Sequence, residues 1–317
     1  MRKTLNTLLV GSIFGLCSTA VLADKITLVV PYPPGGAADQ LARVVAQGLS
    51  EDKGHQVLVE NRSGAGAQIA MNQLQRAKKS DDIVLMLSDH SAFTLNQKLY
   101  KNLNYDIKKD IKPVTLVAEA PIFLLTKTEG KLNNIDDFLQ AANSQTLTYG
   151  VPGIGTGTHL TGEMLNEEVD GKLTVVPYKG AAPALVDLVG EQLDFMFDVL
   201  AGSTAFVDDN QLSILAVAAD ERSHLKPDVP TLEEVGVDNV DFKIWWGIGA
   251  QSKLDDQIIE QLQADIAEVL NNQKIIDNFE KTGILVKTTT PKDMEALIDN
   301  EIETVGPLID TLGISIK

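Results

Sequence analysis

The junction at residues 26–49 constrains the fold most. Ile26-Thr27-Leu28-Val29-Val30 is a short, β-branched run of the kind that forms a buried strand. Leu41, Val44, Val45, Gly48 and Leu49 then recur at helical spacing. Between them stands Pro31-Tyr32-Pro33-Pro34-Gly35-Gly36-Ala37-Ala38-Asp39. The segment is therefore a tight strand-to-helix turn. Pro33 and Pro34 stiffen its approach, and Gly35 and Gly36 let a ligand come close to bare backbone. Asp39 suits an N-cap. The first amides of the helix are unpaired, which makes the turn a ready anion site. It can equally be a plain βα connection, because such turns are common in α/β folds.

The same pattern returns at Leu147-Thr148-Tyr149-Gly150-Val151-Pro152-Gly153-Ile154-Gly155-Thr156-Gly157-Thr158-His159. A helix continues from it through Leu160, Glu163, Met164, Leu165 and Val169. Strands are expected at 26–30, 56–60, 83–87, 114–117, 122–126, 146–149, 173–177, 194–197, 214–218 and 247–250. Helices are expected at 39–50, 67–77, 91–99, 135–143, 159–168, 181–190, 231–235, 255–270, 272–282 and 291–304. This alternation predicts an α/β fold of largely parallel sheets flanked by helices. Open α/β sheets bind ligands at the carboxyl ends of their strands. Two Gly-rich turns in two domains can thus face each other across a cleft.

The N-terminus reads as a secretory leader. Arg2 and Lys3 precede an apolar run from Leu8 to Leu16, and Val21-Leu22-Ala23 offers a cleavage site before Asp24. The run is too short for a stable membrane span. Cys17 follows Phe14, Gly15 and Leu16, a poor match to a lipidation site. It is the only cysteine and leaves with the leader, so no disulfide or thiol chemistry is expected of the mature chain. The net charge of −17 argues against nucleic acid and anionic lipid, yet allows a small anion held by local dipoles.

Catalytic signatures are weak. The 153–158 stretch puts its third glycine one place early for a dinucleotide fingerprint, and there is no Walker lysine. The four histidines, His55, His90, His159 and His224, lack partners at metal-ligand spacing. No G-x-S-x-G elbow is present. His159 can simply turn its ring onto the turn that precedes it. Tyr178 in Pro177-Tyr178-Lys179-Gly180 can pack on a ligand and bond it, and Lys179 is either a carboxylate partner or a solvated lysine. Asp198 ends the apolar Phe195-Met196-Phe197 run and is either a ligand acceptor or a turn cap. Glu60-Asn61-Arg62-Ser63-Gly64-Ala65-Gly66-Ala67 forms a third Gly-rich junction. Trp245-Trp246 suits packing near an interdomain crossing. The acidic set Asp255, Asp256, Glu260, Asp265 and Glu268 is a solvated helix face over Ile258, Ile259, Leu262 and Ile266.

An ordered set of segments resembles the Bug-type receptors of tripartite tricarboxylate transporters. The segments are 29–39, Val-Glu-Asn-Arg-Ser-Gly-Ala-Gly at 59–66, Leu99-Tyr100, Tyr105-Asp106 with Asp110, His159-Leu160, Pro-Tyr-Lys-Gly at 177–180, Asp-Val-Pro-Thr at 228–231, and Trp245. The resemblance implies a two-domain periplasmic-binding-protein fold of the Venus-flytrap kind. Its first domain would comprise 24–123 and 245–317 and its second 124–244, with crossovers near 121–126 and 240–246. It implies a ligand site of Tyr32, Gly36, Ala37 and Asp39 in one jaw, with Ser88 and Ser91 after the third strand. Gly155, Thr156, Thr158, His159, Tyr178 and Asp198 would supply the other jaw. A small carboxylate would lie between them, one end on the amides of 35–37. The chain would be a monomeric, non-enzymatic periplasmic receptor without metal or cofactor, serving a membrane permease; presenting a ligand to a membrane sensor kinase is the alternative. Two departures stand out: position 67 is Ala where such receptors often carry Gly, and Asp81-Asp82-Ile83 replaces their usual Asp-Gly-Tyr.

Overall fold

A computed structural model describes residues 25–78 and 82–316. The leader expected at 1–23, with Cys17, lies outside the described residues, as does Asp81.

The strands are β1 (Lys25–Val30), β2 (Gln56–Asn61), β3 (Ile83–Asp89), β4 (Ile111–Lys127), β5 (Thr146–Val151), β6 (Lys172–Pro177), β7 (Phe195–Asp198), β8 (Leu212–Ala218), β9 (Lys243–Gln251) and β10 (Leu285–Val286). The helices are α1 (Ala37–Glu51), α2 (Gln68–Arg76), three short ones α3 (His90–Phe93), α4 (Asn96–Leu99) and α5 (Ile107–Asp110), then α6 (Ile135–Ala142), α7 (Gly157–Glu168) and α8 (Ala181–Val189). They continue as α9 (Leu200–Asp208), α10 (Asp256–Leu270), α11 (Gln273–Glu280) and α12 (Pro291–Leu312).

Two groups of strands share β4. In the first group β1 pairs in parallel with β2 and β3, and β9 runs antiparallel between β3 and β4. In the second, β5 pairs in parallel with β6 and β7, and β7 and β8 both run antiparallel to β4. The strand β4 pairs with β9 as far as Pro121 opposite Lys243, and from Ile122 opposite Ala218 it pairs with β8. Its 17 residues reach about 55 Å, enough to run from one layer to the next. The ladder slips between Pro113 and Thr115, where a residue without an N–H is tolerated. The second passage lies at Phe242, whose amide donates to Ala218 O just before β9 begins.

Amphipathicity explains the layers. The helix α1 buries Leu41, Ala42, Val45 and Leu49 at turn-to-turn spacing. Gly48 lets α10 close on it, because a Cβ there would sit 2.2 Å from Val269 Cγ1. In the second lobe Phe138 meets Phe195 edge-on at 5.1 Å, and Tyr149 stacks on Phe195 at 5.3 Å. Such pairs add about 0.5–1.5 kcal/mol each beyond burial.

Several elements differ from expectation. The strands expected at 114–117 and 122–126 are one strand. The helix expected at 91–99 is two single turns, α3 and α4. Residues 231–235 hold only a 3-10 turn at Glu233–Val235. The helix α9 was not anticipated, since Gly202, Ser203 and Thr204 are weak helix formers without an apolar stripe. The helix α12 extends past 304 to Leu312 with Pro307 inside it.

Candidate functional site

The carboxyl ends of β1 and β3 in one lobe and of β5, β6 and β7 in the other all lie toward the passages made by β4 and β9. Asp198 at the end of β7 pairs with Phe123, two residues past Pro121, and Asp89 at the end of β3 pairs with Trp246. Every candidate ligand residue is on one of these ends, on the turn after it or in the first turn of the following helix.

The first turn is built around one carboxylate. Gly35 takes φ +100°, which favours glycine, and Gly36 is the N-cap of α1 with extended backbone and no side-chain cap. Asp39 is therefore the third helical residue rather than the N-cap expected from the sequence. It reaches back: its Oδ2 accepts from Gly35 N and Arg43 Nε, each at 2.9 Å. Its Oδ1 accepts from Asn61 Nδ2 at 2.9 Å and Arg43 Nη2 at 3.0 Å. The same Asn61 amide donates to Tyr32 O at 3.1 Å. Burial alone would raise the Asp39 carboxyl, but the bonds from Arg43, Asn61 and Gly35 outweigh it and hold it below its usual range. In this structure Asp39 is committed to shaping the turn. The amides of Gly36 and Ala37, at the start of α1, have no intrahelical partner. A Cβ on Gly36 would meet nothing within 4 Å, so this backbone faces open space.

Beside the turn, the half-buried Tyr32 hydroxyl lies 3.3 Å from Oγ of the fully buried Ser88. Burial and the adjacent Asp89 push the Tyr32 phenol well up, so it stays protonated. Asp89 caps α3 by accepting from Ser91 N at 2.9 Å. Ser91 Oγ is buried with no hydrogen-bond partner among the described residues. Tyr32 and Ser88 thus meet, and Ser91 lies three residues past Ser88 at the start of α3.

The second turn repeats the device of the first. Gly155 takes φ +80°, and the residue four places later, His159, accepts the Gly155 N–H on Nδ1 at 3.0 Å. Gly35 and Asp39 have the same spacing and role. Thr156 is the N-cap of α7: its Oγ1 accepts from His159 N, donates to Gly153 O at 2.9 Å, and lies 3.2 Å from the buried Thr158 Oγ1. Nε2 of His159 is 3.6 Å from Glu163, which also accepts from Tyr149 Oη at 2.5 Å. His159 and Tyr149 hold the Glu163 carboxyl below its ordinary range despite burial.

Tyr178 follows β6 and the buried Asp198 ends β7 in the second lobe. The Tyr178 hydroxyl donates to Asp187 on α8 at 2.7 Å, so here it serves the lobe's own packing. Burial and Asp187 push this phenol up to about 12. Burial pushes the Asp198 carboxyl up to about 7, against the pull of the Val199 amide. Its Oδ2 has no partner among the described residues and sits on the first turn of α9, 2.9 Å from where a Gly202 Cβ would be.

Sequence reasoning missed how the lobes meet. His90 is buried, with Nδ1 2.6 Å from Glu301 on α12. Glu301 also accepts from Thr94 Oγ1 at 3.1 Å and from Trp245 Nε1. The His90 ring lies 5.3 Å from Phe242 and 5.9 Å from Trp245. A Cβ on Gly157 would fall 2.8 Å from His90 Nε2, and one on Gly155 would fall 2.6 Å from Leu99 Cδ1. Leu160 clusters with Leu95, Leu99, Val305 and Ile309. The start of α7 therefore rests on α3 and α4, next to Ser88 and Ser91. No hydrogen bond joins the 31–39 turn to the 153–159 turn among the described residues. Only the glycines at 155 and 157 hint at this contact in the sequence, and glycine has many other uses.

At the third junction Ala67 caps α2 with φ +68°. The position thus takes the left-handed backbone that glycine adopts freely, so the Ala here holds a conformation that costs it more than it would cost a Gly. The site's charge is likewise informative. Arg43 is bound to Asp39 and Lys179 is exposed, so backbone amides and hydroxyls dominate the polar surface. Among the described residues no three His, Cys, Asp or Glu side chains are arranged to hold a metal.

The model of the "Tripartite tricarboxylate transporter family receptor" matches residues 41–314. The chain belongs to this receptor family. Its members are periplasmic binding proteins, receptors rather than enzymes. BugT of Bordetella pertussis is 28% identical over 93% of this receptor and 91% of its own length. Among solved structures, R. palustris Rpa4515 with adipate superposes with a TM-score of 0.85 at 28% identity, covering 92% of this chain and 98% of that one. MatC from Rhodopseudomonas palustris with bound malate gives 0.79 at 25% identity, covering 90% and 98%. The receptor thus has the two-lobed periplasmic-binding-protein fold, with mostly parallel sheets flanked by helices.

Proposed function

We propose that this receptor captures a small di- or tricarboxylate between its lobes in the periplasm and delivers it to a tripartite tricarboxylate-type permease. The lobes are 24–123 with 245–317, and 124–244, after loss of the leader at 1–23. The observation that carries this reading is the pair of matched turns, each leading into a helix N-terminus and each locked by a side chain four residues on, with α1 uncapped and α7 capped only at His159 N by Thr156. Two such ends attract anionic groups without a lysine or arginine in contact. The adipate and malate bound by two similar proteins support the same ligand class.

One carboxylate rests on the amides of Gly36 and Ala37 rather than on all of 35–37, because Asp39 already takes the Gly35 N–H, and it lies within reach of Tyr32, Ser88 and Ser91. The other end faces Gly155, Thr156 and Thr158. Asp39 and His159 act through the turns they hold, and Tyr178 and Asp198 shape the strand ends of the second lobe. Bending about the β4 and β9 passages opens and closes the cleft. The receptor works as a monomer, needs no cofactor and leaves its ligand unchanged.

A thermal-shift panel of adipate, malate, citrate, amino acids and aromatic acids tests this. Ligand at a hundredfold excess over Kd stabilises by about 2.7 kcal/mol, so at least one di- or tricarboxylate should raise Tm clearly. A flat response to every carboxylate refutes the ligand class, and turnover of a bound acid refutes the receptor role.

A further inference from the structure

We propose that His159 is a positioning residue whose uncharged imidazole holds the second turn in its ligand-receiving shape, so that acid loosens the second jaw but not the first. This deepens the carboxylate-capture reading of the same site and rests on that reading only for its effect on affinity.

The hydrogen bonds set the tautomer. Gly155 N donates to Nδ1 at 3.0 Å, so Nδ1 must carry a lone pair. The ring proton of the neutral imidazole is then on Nε2, facing Glu163 at 3.6 Å. Protonation puts a second N–H on Nδ1, and two donors then face each other across that contact. Gly155 loses the side chain that fixes its positive φ, and the start of α7 is freed.

The groups around the ring do not replace this bond. On α7 Glu163 can balance the imidazolium charge, but it already accepts from Tyr149 on β5 and offers nothing to Gly155. From the first lobe His90 abuts Gly157, and its charge is governed by Glu301 on α12, with Asp89 next in sequence. None of these reaches the Gly155 amide. The first turn has no such weakness. Asp39 remains an acceptor for Gly35 down to the depressed range of its carboxyl. The two jaws share one geometry and differ in the locking group: a carboxylate offers Gly35 lone pairs on two oxygens, whereas the imidazole offers Gly155 a single lone pair that a proton would occupy.

The test needs no ligand. Imidazole 15N spectra and amide hydrogen exchange are recorded on the ligand-free mature receptor, His159→Gln and His90→Gln at about pH 7.5 and about pH 5. A glutamine carbonyl can accept from Gly155 at either pH. In the wild type, Nδ1 of His159 should be the unprotonated nitrogen at the higher pH. Protection of the 155–158 amides, corrected for intrinsic exchange, should then fall about five- to tenfold in acid, the worth of one neutral hydrogen bond. His90→Gln should lower protection at both pH values because it leaves Glu301 unpaired, yet keep the wild type's acid-dependent fall, whereas the acid-dependent fall in His159→Gln should be less than about twofold. The proposal is overturned if Nδ1 carries the proton at the higher pH, if the wild type keeps its protection in acid, or if His159→Gln loses as much as the wild type.

Discussion

Replacing Asp39 by alanine should destabilise the first lobe by about 3 kcal/mol. The carboxylate is 3% exposed and accepts four hydrogen bonds. The bond from Gly35 N has a charged acceptor and is worth about 1.5–3 kcal/mol. The Asn61 amide, tied also to Tyr32 O, adds about 1 kcal/mol. Arg43 stands in water and contributes little. At about 2–4 °C per kcal/mol, Tm should drop by about 6–12 °C. Asp39→Asn keeps one acceptor and should fall between. The acid behaviour is also defined. A carboxyl whose folded pKa lies below its unfolded value near 3.8 contributes fully above that value and loses its contribution as pH falls through the folded one. The gap between wild type and Asp39→Ala in urea unfolding should hold steady from about pH 7 to about pH 5 and shrink below about pH 4. A loss under about 1 kcal/mol at neutral pH, or a gap that widens in acid, would falsify the claim that Asp39 locks the turn.

Three further changes separate fold from capture. Gly36→Val, at an extended N-cap with open space around its Cβ, should cost stability only about 1 kcal/mol while weakening the carboxylate found by thermal shift at least about a hundredfold; unchanged affinity in calorimetry refutes the amide contact. Gly157→Ala pushes a methyl against His90 and Phe242 between the lobes, so affinity should fall about tenfold and small-angle scattering should show a wider receptor; identical scattering and affinity remove that contact from closure. Glu301→Gln strips the buried His90 of its counter-charge and should cost about 3 kcal/mol. Glu301 is depressed below 4.5, so its contribution is present above that pH, whereas His90 is raised above 6.5 and contributes below its raised pKa. Urea midpoints should therefore show the loss most strongly between about pH 5 and pH 6, and an effect largest at alkaline pH contradicts the ion pair.

The alternation of strands and helices was legible because it depends on local periodicity. Both Gly-rich turns were legible because glycine and proline mark backbone that few other residues can adopt. Where local signals were weak, legibility failed. In α9 Gly202, Ser203 and Thr204 hide a helix that packing on the second sheet imposes. In β4 two apolar runs look separate because Pro121 stands where one strand changes partners. The first turn's aspartate and the second turn's histidine looked alike as candidate ligand contacts. Their bonds to Gly35 and Gly155 depend on the turn closing back on itself, which residue type alone does not reveal.

By itself the sequence determined the class of layer, the two strand-to-helix turns and, through ordered motifs, the receptor family. Those properties follow from short-range periodicity and from residues whose backbone preferences are intrinsic. Tertiary structure alone decided that β4 crosses between lobes, that His90 and Glu301 pair across 211 positions, and that Gly157 must be bare to seat one lobe on the other. Each of these rests on contacts between residues far apart in the chain, which become specific only when both surfaces are present.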